Sequence, residues 1–301
     1  DELVRIALHE EAVLVGAGLR LVAVDHEIPR PHALRREAPL GARREPGDDV
    51  VRCDARAAVQ RIGAAERRRL ARRARLVLTP SAATRDDVVR LLGIDPGSVR
   101  VIPHAAPRGF DPPPTLLDTP GPPYFLFVGN LEPRKNLARA LRAFARVASS
   151  LPDHRFVIAG QPGWKYEDVK REAARPELEG RVEFRGYVPE GELPALYRNA
   201  AAFVYPSLYE GFGMPVIEAM ACGTPVLTSR VAALPELAEG AAVLVDPLDE
   251  QALASALQAQ AAQAAEATAN CVVDRVAGAG ANDRHVEHVG AEGRNAAVLK
   301  H

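Results

Sequence analysis

The stretch Tyr205-Pro-Ser-Leu-Tyr-Glu-Gly-Phe-Gly-Met-Pro-Val-Ile-Glu218 leads from a short β-rich run through a glycine loop into a helical segment. Gly211 and Gly213 let the backbone turn and come close to a ligand, because glycine has no Cβ. Pro215 suits the first position of a helix, where its missing N–H would be unpaired anyway. The N–H groups of Gly213 and Met214, with the positive end of the helix, predict an anion site.

Two glutamates bracket this glycine loop. Glu210 precedes the loop, and Glu218 is expected in the first helical turn, where a carboxylate is favoured. An anion site flanked by two carboxylates that accept hydrogen bonds from hydroxyls suits a sugar attached to a diphosphate. The alternative is that Glu218 only stabilises the helix dipole and that Glu210 is a solvated loop residue. On these residues alone, both interpretations stand.

The chain from Tyr124 to Gln258 alternates short β-rich runs with helical segments. The predicted strands are Phe125–Val128, Phe156–Ala159, Val182–Phe184, Ala202–Tyr205, Pro225–Thr228 and Ala242–Val245. The predicted helices are Leu137–Ala148, a segment near Glu167–Ala174, Glu190–Asn199, one from Pro215 and one from about Asp249. This alternation predicts an α/β fold with a parallel, doubly wound sheet. Ligands bind at the carboxyl ends of such strands, which is where Glu210 is expected.

The sequence divides into four predicted segments. Residues 107–123 are dense in proline and predict a stiff linker between domains. Residues 1–106 form a smaller α/β domain, 124–262 a larger one, and 263–301 a divergent or weakly ordered tail, since periodicity fades from Asn270. The elements predicted in the first domain are strands at Leu21–Val24, Leu76–Leu78 and Val99–Ile102, and helices at Ala65–Ala74 and Thr84–Leu92 after the Ser81 cap region.

Composition excludes few functions. The formal net charge of −1 gives no global electrostatic argument for nucleic-acid binding. Cys53, Cys222 and Cys271 are few, widely spaced and odd in number, so neither a disulfide framework nor a zinc site is expected, and a reduced cytoplasmic setting fits. No apolar run approaches the ~20 residues that a membrane span needs.

A second motif, Phe125-Leu-Phe-Val-Gly-Asn-Leu-Glu-Pro-Arg-Lys-Asn136, ends a predicted strand at Gly129 and places Arg134 and Lys135 just before the next helix. Lysine is a point charge for phosphate, and arginine is a forked donor. The pair predicts a place where a diphosphate is neutralised. The alternative, two solvated cations at a helix start, is disfavoured because such cations oppose the helix dipole.

Four ordered motifs together resemble the family 4 retaining glycosyltransferases of the GT-B fold. Within that group, the chain most resembles bacterial O-antigen mannosyltransferases that use GDP-mannose. The motifs are Val128–Asn136, Gly186-Tyr-Val-Pro189, Tyr205–Pro225 and Ala241–Pro247, and the resemblance covers about Ala74 to Leu257. It implies two Rossmann-like domains. The first, on the acceptor side, is apparently incomplete, because the family's first strand and glycine-rich loop have no counterpart before Leu21.

The resemblance also implies roles for individual residues. Glu210 and the backbone of the glycine loop would hold the donor sugar, Glu218 the ribose, and Arg134 and Lys135 the departing diphosphate, with retention of configuration and no metal or other cofactor. Val188, with Leu193 nearby, would contact the nucleobase. The implied catalytic residues are Glu210, Lys135, Arg134 and His26. The implied donor-binding residues are Gly129, Asn130, Arg134, Lys135, Val188, Leu193, Glu210, Gly211, Phe212, Gly213, Met214 and Glu218.

Two positions depart from the family pattern. Asn130 stands where many members carry an arginine, a change for which Arg134 compensates. The family's His-Asp pair is reversed here as Asp25-His26. A shift of one residue at a strand end exchanges the faces of the side chains. His26 is therefore interpreted either as a residue of the catalytic site or as a surface histidine.

The expected function is transfer of a hexose, mannose from GDP-mannose, onto a glycan or lipid-linked acceptor. The alternatives are the same reaction with a UDP-sugar, and a non-catalytic nucleotide-sugar-binding fragment or partner subunit. A basic cluster, defined as Arg61, Arg67–Arg69, Arg72, Arg73 and Arg75, is either a solvated helix face or a contact with anionic lipid at the inner face of the membrane. Nucleic acid is not an expected partner, because no aromatic residues interleave the cluster.

Overall fold

A computed structural model of the chain describes residues 71–112, 121–238 and 240–278, with side chains up to residue 266. Contacts divide the chain into two compact units, and the division falls between His104 and Ala105. The predicted strand at Leu21–Val24, His26, and most of both the helix at Ala65–Ala74 and the basic cluster lie outside the described residues.

The first unit contains a parallel βαβ arrangement. Strand β1 (Val77–Thr79) pairs with β2 (Val99–Val101), and helix α1 (Ala82–Leu92) connects them. The Ser81 hydroxyl begins α1 by accepting a hydrogen bond from the Thr84 N–H at 3.0 Å, as the predicted cap requires. All three elements lie within two residues of their predicted bounds.

The second unit is built on a parallel sheet with the strand order β5-β4-β3-β6-β7-β8. The first strand of this sheet, β3, is central. Strands β4 and β5 follow it to one edge, and β6, β7 and β8 then extend from β3 to the other edge. This order confirms the predicted doubly wound α/β sheet. The strands are β3 (Tyr124–Val128), β4 (Arg155–Ala159), β5 (Val182–Gly186), β6 (Ala202–Tyr205), β7 (Val226–Ser229) and β8 (Val243–Val245).

The helices of this unit are α2 (Leu137–Val147), α3 (Glu167–Ala173), α4 (Leu193–Asn199), α5 (Met214–Ala221), α6 (Leu234–Ala238) and α7 (Glu250–Gly278). One predicted boundary was wrong, since helix α4 begins three residues after Glu190. Helix α7 extends past Asn270, where the periodicity of the sequence fades, to Gly278. Helix α6 was not predicted, because it is only five residues long.

The core explains why these segments adopt their structures. Leu137, Leu141 and Phe144 recur at helical spacing on α2 and are fully buried. All four residues of β6 and of β7 are buried, as expected for central strands of a parallel sheet covered on both faces. Strands β3 and β6 lie side by side. The chain continues from β3 to β4 on one side and from β6 to β7 on the other. Such a reversal of direction forms a crevice at the carboxyl ends of the two strands.

None of the helices in the described part of the chain is long and apolar enough to span a membrane.

Candidate donor-binding site

Two loops meet at the carboxyl ends of β3 and β6. Arg134 and Lys135 lie in a 3-10 turn, Pro133–Lys135, between β3 and α2. The Leu208 N–H, in the loop after β6, donates a hydrogen bond to the Arg134 carbonyl at 2.8 Å. This bond fixes the predicted cations opposite the loop that carries Glu210.

Both cations contact the same oxygen of Glu210. Lys135 Nζ lies 2.8 Å from Glu210 Oε1, and Arg134 Nη1 lies 2.8 Å from that atom. Lys135 is 9% exposed and Glu210 is 8% exposed. Glu210 is therefore a buried member of a charged cluster, and the alternative of a solvated loop residue is wrong. We call Arg134, Lys135 and Glu210 the charge cluster.

The ionisation of the charge cluster follows from its burial and its partners. Burial alone would raise the pKa of Glu210, but the attraction of Lys135 and Arg134 outweighs it and lowers that pKa. Burial lowers the pKa of Lys135, against the attraction of Glu210. Arg134 remains charged. The cluster thus holds two cations and one carboxylate, and Glu132 approaches its outer side at 3.5 Å from Arg134.

Asn136 ties three loops together and was not singled out from the sequence. Its backbone has φ 58°, a left-handed conformation that asparagine tolerates better than most residues. Its side-chain amide donates to the carbonyls of Pro206 at 3.0 Å and Pro247 at 2.8 Å. The loops after β3, β6 and β8 are joined by these bonds, which hold the charge cluster in place.

Tyr205, the last residue of β6, contacts the charge cluster at the carboxyl end of that strand. Its hydroxyl accepts a hydrogen bond from Lys135 Nζ. Its ring stacks on Phe203 at a centroid distance of 5.5 Å and on Phe127 at 6.0 Å. The sequence signalled Tyr205 only as a strand residue, because the partner lysine is 70 positions away.

The glycine loop leads into α5 as the sequence predicts, with one adjustment. Helix α5 begins at Met214, so Pro215 is its second residue. Gly213 has φ 108°, a backbone conformation that favours glycine, and a Cβ there would lie 2.8 Å from Leu234 Cδ2, so that side chain would have to shift. The Val216 N–H makes the first bond of the helix, to the Gly213 carbonyl at 2.9 Å. The N–H groups of Gly213 and Met214 precede this bond and belong to the positive end of the helix.

Glu218 lies in the second turn of α5, so its predicted place in the first turn was wrong. Its Oε2 accepts a hydrogen bond from the Tyr197 hydroxyl at 2.9 Å. Burial raises the pKa of Glu218; the bond from Tyr197 opposes this shift, and the nearby Glu190 adds to it. The carboxylate is held by a specific partner, which a simple helix-dipole role would not require.

The remaining predicted residues follow the same edge of the sheet. Gly129 follows β3, and its carbonyl oxygen lies 1.9 Å from where a Cβ on Gly160 would stand. Asn130, beside it, is exposed. Val188 follows β5 and Leu193 begins α4. The structure thus gathers the described candidates along the carboxyl ends of β3, β5 and β6.

The family model described as glycosyl transferases group 1 matches residues 115–268, about half of the chain. The chain belongs to this family. The segment of the chain that matches the family model includes the charge cluster, the glycine loop and Glu218.

Curated relatives match over part of their length. The O-antigen chain mannosyltransferase B of Escherichia coli is 40% identical over 44% of this chain and 35% of its own. The O-antigen chain mannosyltransferase RfbU of Salmonella typhimurium is 30% identical over 62% of this chain and 51% of its own. A glycogen synthase of Mycobacterium tuberculosis is 32% identical over 56% of this chain and 40% of its own length. The chain therefore spans between about a third and a half of the length of these relatives.

Solved structures agree on the architecture. The sucrose-phosphate synthase of Thermosynechococcus elongatus superposes with a TM-score of 0.59 and 28% identity, over 67% of this chain and 52% of that one. The Anabaena protein HepE, in complex with UDP and glucose, superposes with a TM-score of 0.57 and 22% identity, over 70% of this chain and 65% of that one. These neighbours confirm the predicted GT-B class with its Rossmann-like α/β character.

Proposed function

We propose that this group 1 glycosyltransferase binds a nucleoside diphosphate sugar at the carboxyl edge of the β3–β6 sheet. Lys135 and Arg134 hold the diphosphate and stabilise it as it leaves. Glu210 and the backbone of residues 211–214 hold the sugar hydroxyls, and Glu218 accepts from the ribose. Val188, with Leu193 nearby, contacts the nucleobase, Gly129 allows the donor to approach the loop closely, and Asn130 binds the donor.

The observation that carries this proposal is the charge cluster itself. Two cations share one oxygen of Glu210 in a nearly buried place, and the positive end of α5 belongs to the same loop. Fixed donors in a poorly hydrated site interact strongly with the charge that develops on a leaving diphosphate. Such a cluster can give up part of its internal pairing when a diphosphate supplies new oxygens. It needs no metal for this step.

We further propose family 4 chemistry, with retention of configuration at the transferred sugar. Attack on the face that the diphosphate leaves would leave Glu210 as a binder and orienter of the sugar. His26 is proposed as a further catalytic residue. The product's anomeric configuration, read by NMR, tests this part of the proposal: an inverted product would contradict it.

Mannose from GDP-mannose is the proposed donor, on the strength of the O-antigen mannosyltransferases among the relatives and of the four motifs. The second candidate is the same reaction with a UDP-sugar or another donor, because the similar proteins also include a glycogen synthase and a sucrose-phosphate synthase, whose names do not indicate mannose. The acceptor would be a glycan or a lipid-linked glycan at the inner face of the membrane, reached from the cytoplasm.

The domain plan belongs to the same proposal. Residues 1–106 would form a partial acceptor-side domain, 107–123 the linker, and 124–262 the donor-binding domain, followed by a divergent tail at 263–301. The alternative is a fragment or partner subunit that binds a nucleotide sugar without turnover.

A thermal-shift panel of GDP, UDP, ADP and their sugars tests the donor, because a ligand that binds the native state raises its melting temperature. The proposal expects the largest shift with GDP and GDP-mannose. Transfer is then assayed with lipid-linked acceptors. Binding of GDP without turnover on any acceptor would contradict the enzymatic proposal and favour the non-catalytic alternative.

A further inference from the structure

Tyr205 makes two kinds of contact with Lys135. Its hydroxyl accepts a hydrogen bond from Lys135 Nζ, and the same ammonium lies 4.7 Å from the centroid of the tyrosine ring. The two residues are 70 positions apart in the chain. Their contact therefore depends on the pairing of β3 with β6, which delivers the loop and the strand end to one place.

Tyr205 is a rigid support for that contact. The residue is fully buried, and its ring stacks between Phe127 and Phe203. The next strand also fixes its backbone, since the Thr228 hydroxyl donates to the Tyr205 carbonyl at 2.8 Å. Burial, with the neighbouring Glu210 carboxylate, holds the pKa of Tyr205 well above its usual value, so the phenol stays protonated and neutral.

The ammonium of Lys135 has three N–H donors. Within the described residues, one donor goes to Glu210 Oε1 at 2.8 Å and one goes to the Tyr205 hydroxyl. The ammonium group is tetrahedral, so these two acceptors together fix its orientation. The third N–H of Lys135 therefore points in a single direction. Without the phenol, the lysine side chain would regain rotational freedom that it must lose again when it binds a ligand.

We propose that Tyr205 is a positioning residue for the diphosphate: its hydroxyl fixes the Lys135 ammonium so that the remaining N–H is directed at an oxygen of the phosphate distal to the nucleoside, which GMP lacks. The inference rests on the proposed donor site. Tyr205 itself does not touch the ligand. Its effect passes through Lys135, so it contributes to recognition of the diphosphate and not of the nucleoside.

The test compares GDP with GMP by isothermal titration calorimetry on the full 301-residue chain. Tyr205→Phe keeps the buried ring, its stacking and its cation–π contact, and it removes only the hydroxyl. The matched control is Tyr124→Phe, because Tyr124 opens β3 at the opposite edge of the sheet, where its hydroxyl donates to the Leu196 carbonyl at 2.9 Å. We expect Tyr205→Phe to weaken GDP binding about tenfold, since it removes one bond to a charged group, and to leave GMP binding unchanged. The control leaves the affinities for both nucleotides unchanged.

A double-mutant cycle separates positioning from a general structural role. In a Lys135→Met background, Tyr205→Phe should have a much smaller effect on GDP affinity, because Lys135 is gone and only the interaction of the hydroxyl with Glu210 remains. Equal weakening of GDP and GMP by Tyr205→Phe, or an unchanged loss in the Lys135→Met background, would overturn the inference. So would unchanged GDP affinity in Tyr205→Phe alone.

The outcomes also distinguish this inference from the proposed function. A wild-type chain that binds none of GDP, UDP and ADP overturns the donor site and, with it, the role of Tyr205. A wild-type chain that binds GDP, beside a folded Tyr205→Phe variant that binds it equally well, overturns only the role of Tyr205. The melting temperature of each variant without ligand establishes that it is folded.

Discussion

Glu210 Oε1 lies 2.8 Å from Lys135 Nζ, although the two residues are 75 positions apart. Each residue is nearly buried, and each would be destabilising there without the other. The same pair that closes the β3 loop onto the β6 loop is also the proposed place of the donor's diphosphate and sugar. Stability and ligand binding therefore depend on the same atoms.

Replacing Glu210 with alanine should both destabilise the protein and abolish transfer. The variant leaves Lys135 and Arg134 buried without their carboxylate, and breaking such a pair typically costs about 3 kcal/mol or more. Urea denaturation measures this loss, and Glu179→Ala, at an exposed glutamate of the same unit, is the control. Full stability and full activity in Glu210→Ala would contradict the assignment.

Acid should weaken the fold partly through Glu210. The pKa of this carboxyl in the folded chain is lowered from its ordinary value of 4.5. A lowered pKa stabilises the fold above pH 4.5, and that contribution is lost as the pH falls through the folded value. The free energy of unfolding should therefore fall less steeply below pH 4.5 in Glu210→Gln than in the wild type. Parallel curves for the two proteins would contradict the shift.

Tyr197→Phe should weaken nucleotide binding in a different way from Tyr205→Phe. It removes the hydroxyl that holds Glu218 Oε2 at 2.9 Å, on the proposed ribose side. The affinities for GMP and GDP should fall together, by about fivefold, since both ligands carry the ribose. Calorimetric titration of both ligands decides this point. A loss confined to GDP would mean that Glu218 does not serve the ribose.

Gly160→Ala should disrupt the edge of the β3–β4 pair. A Cβ at this position would lie 1.9 Å from the Gly129 carbonyl oxygen, which is backbone and cannot move aside cheaply. A cost of about 3 kcal/mol is expected, at the upper end for overpacking. Gly180→Ala is the control, because Gly180 also has a positive φ, 69° against 156° for Gly160, but has nothing within 4 Å of the added carbon. Thermal melts should rank Gly160→Ala well below Gly180→Ala; equal melting temperatures would contradict the clash.

Much of the second unit could be predicted from sequence because its signals are local. Strands such as Ala202–Tyr205 end at residues that change the chain's direction, and α2 carries its apolar residues at helical spacing. The loop motifs could also be assigned to one edge, since parallel strands share their carboxyl ends. Arg134, Lys135 and Glu210 were therefore expected near one another.

The pairings around the charge cluster could not be predicted, because they join residues 70 to 111 positions apart. Nothing local indicates that the Tyr205 hydroxyl contacts Lys135, or that Asn136 bonds to Pro247. The position of Glu218 in its helix was predicted with a smaller error, which has a local cause. Glu218 falls in the second helical turn because the helix starts at Met214 and not at Pro215. Sequence patterns do not define a helix start to within one residue.

The central claim is that the charge cluster binds the diphosphate of a nucleotide, and calorimetric titration of GDP into the wild type and Lys135→Met tests it most directly. Methionine is unbranched and only one atom shorter than lysine, so it keeps the apolar part of the side chain and removes the charge. The account predicts that the wild type binds GDP and that Lys135→Met weakens binding by about 30-fold or more, as loss of a buried charge contact does. Equal affinity in the two proteins, or no binding of GDP, UDP or ADP by the wild type, would contradict it.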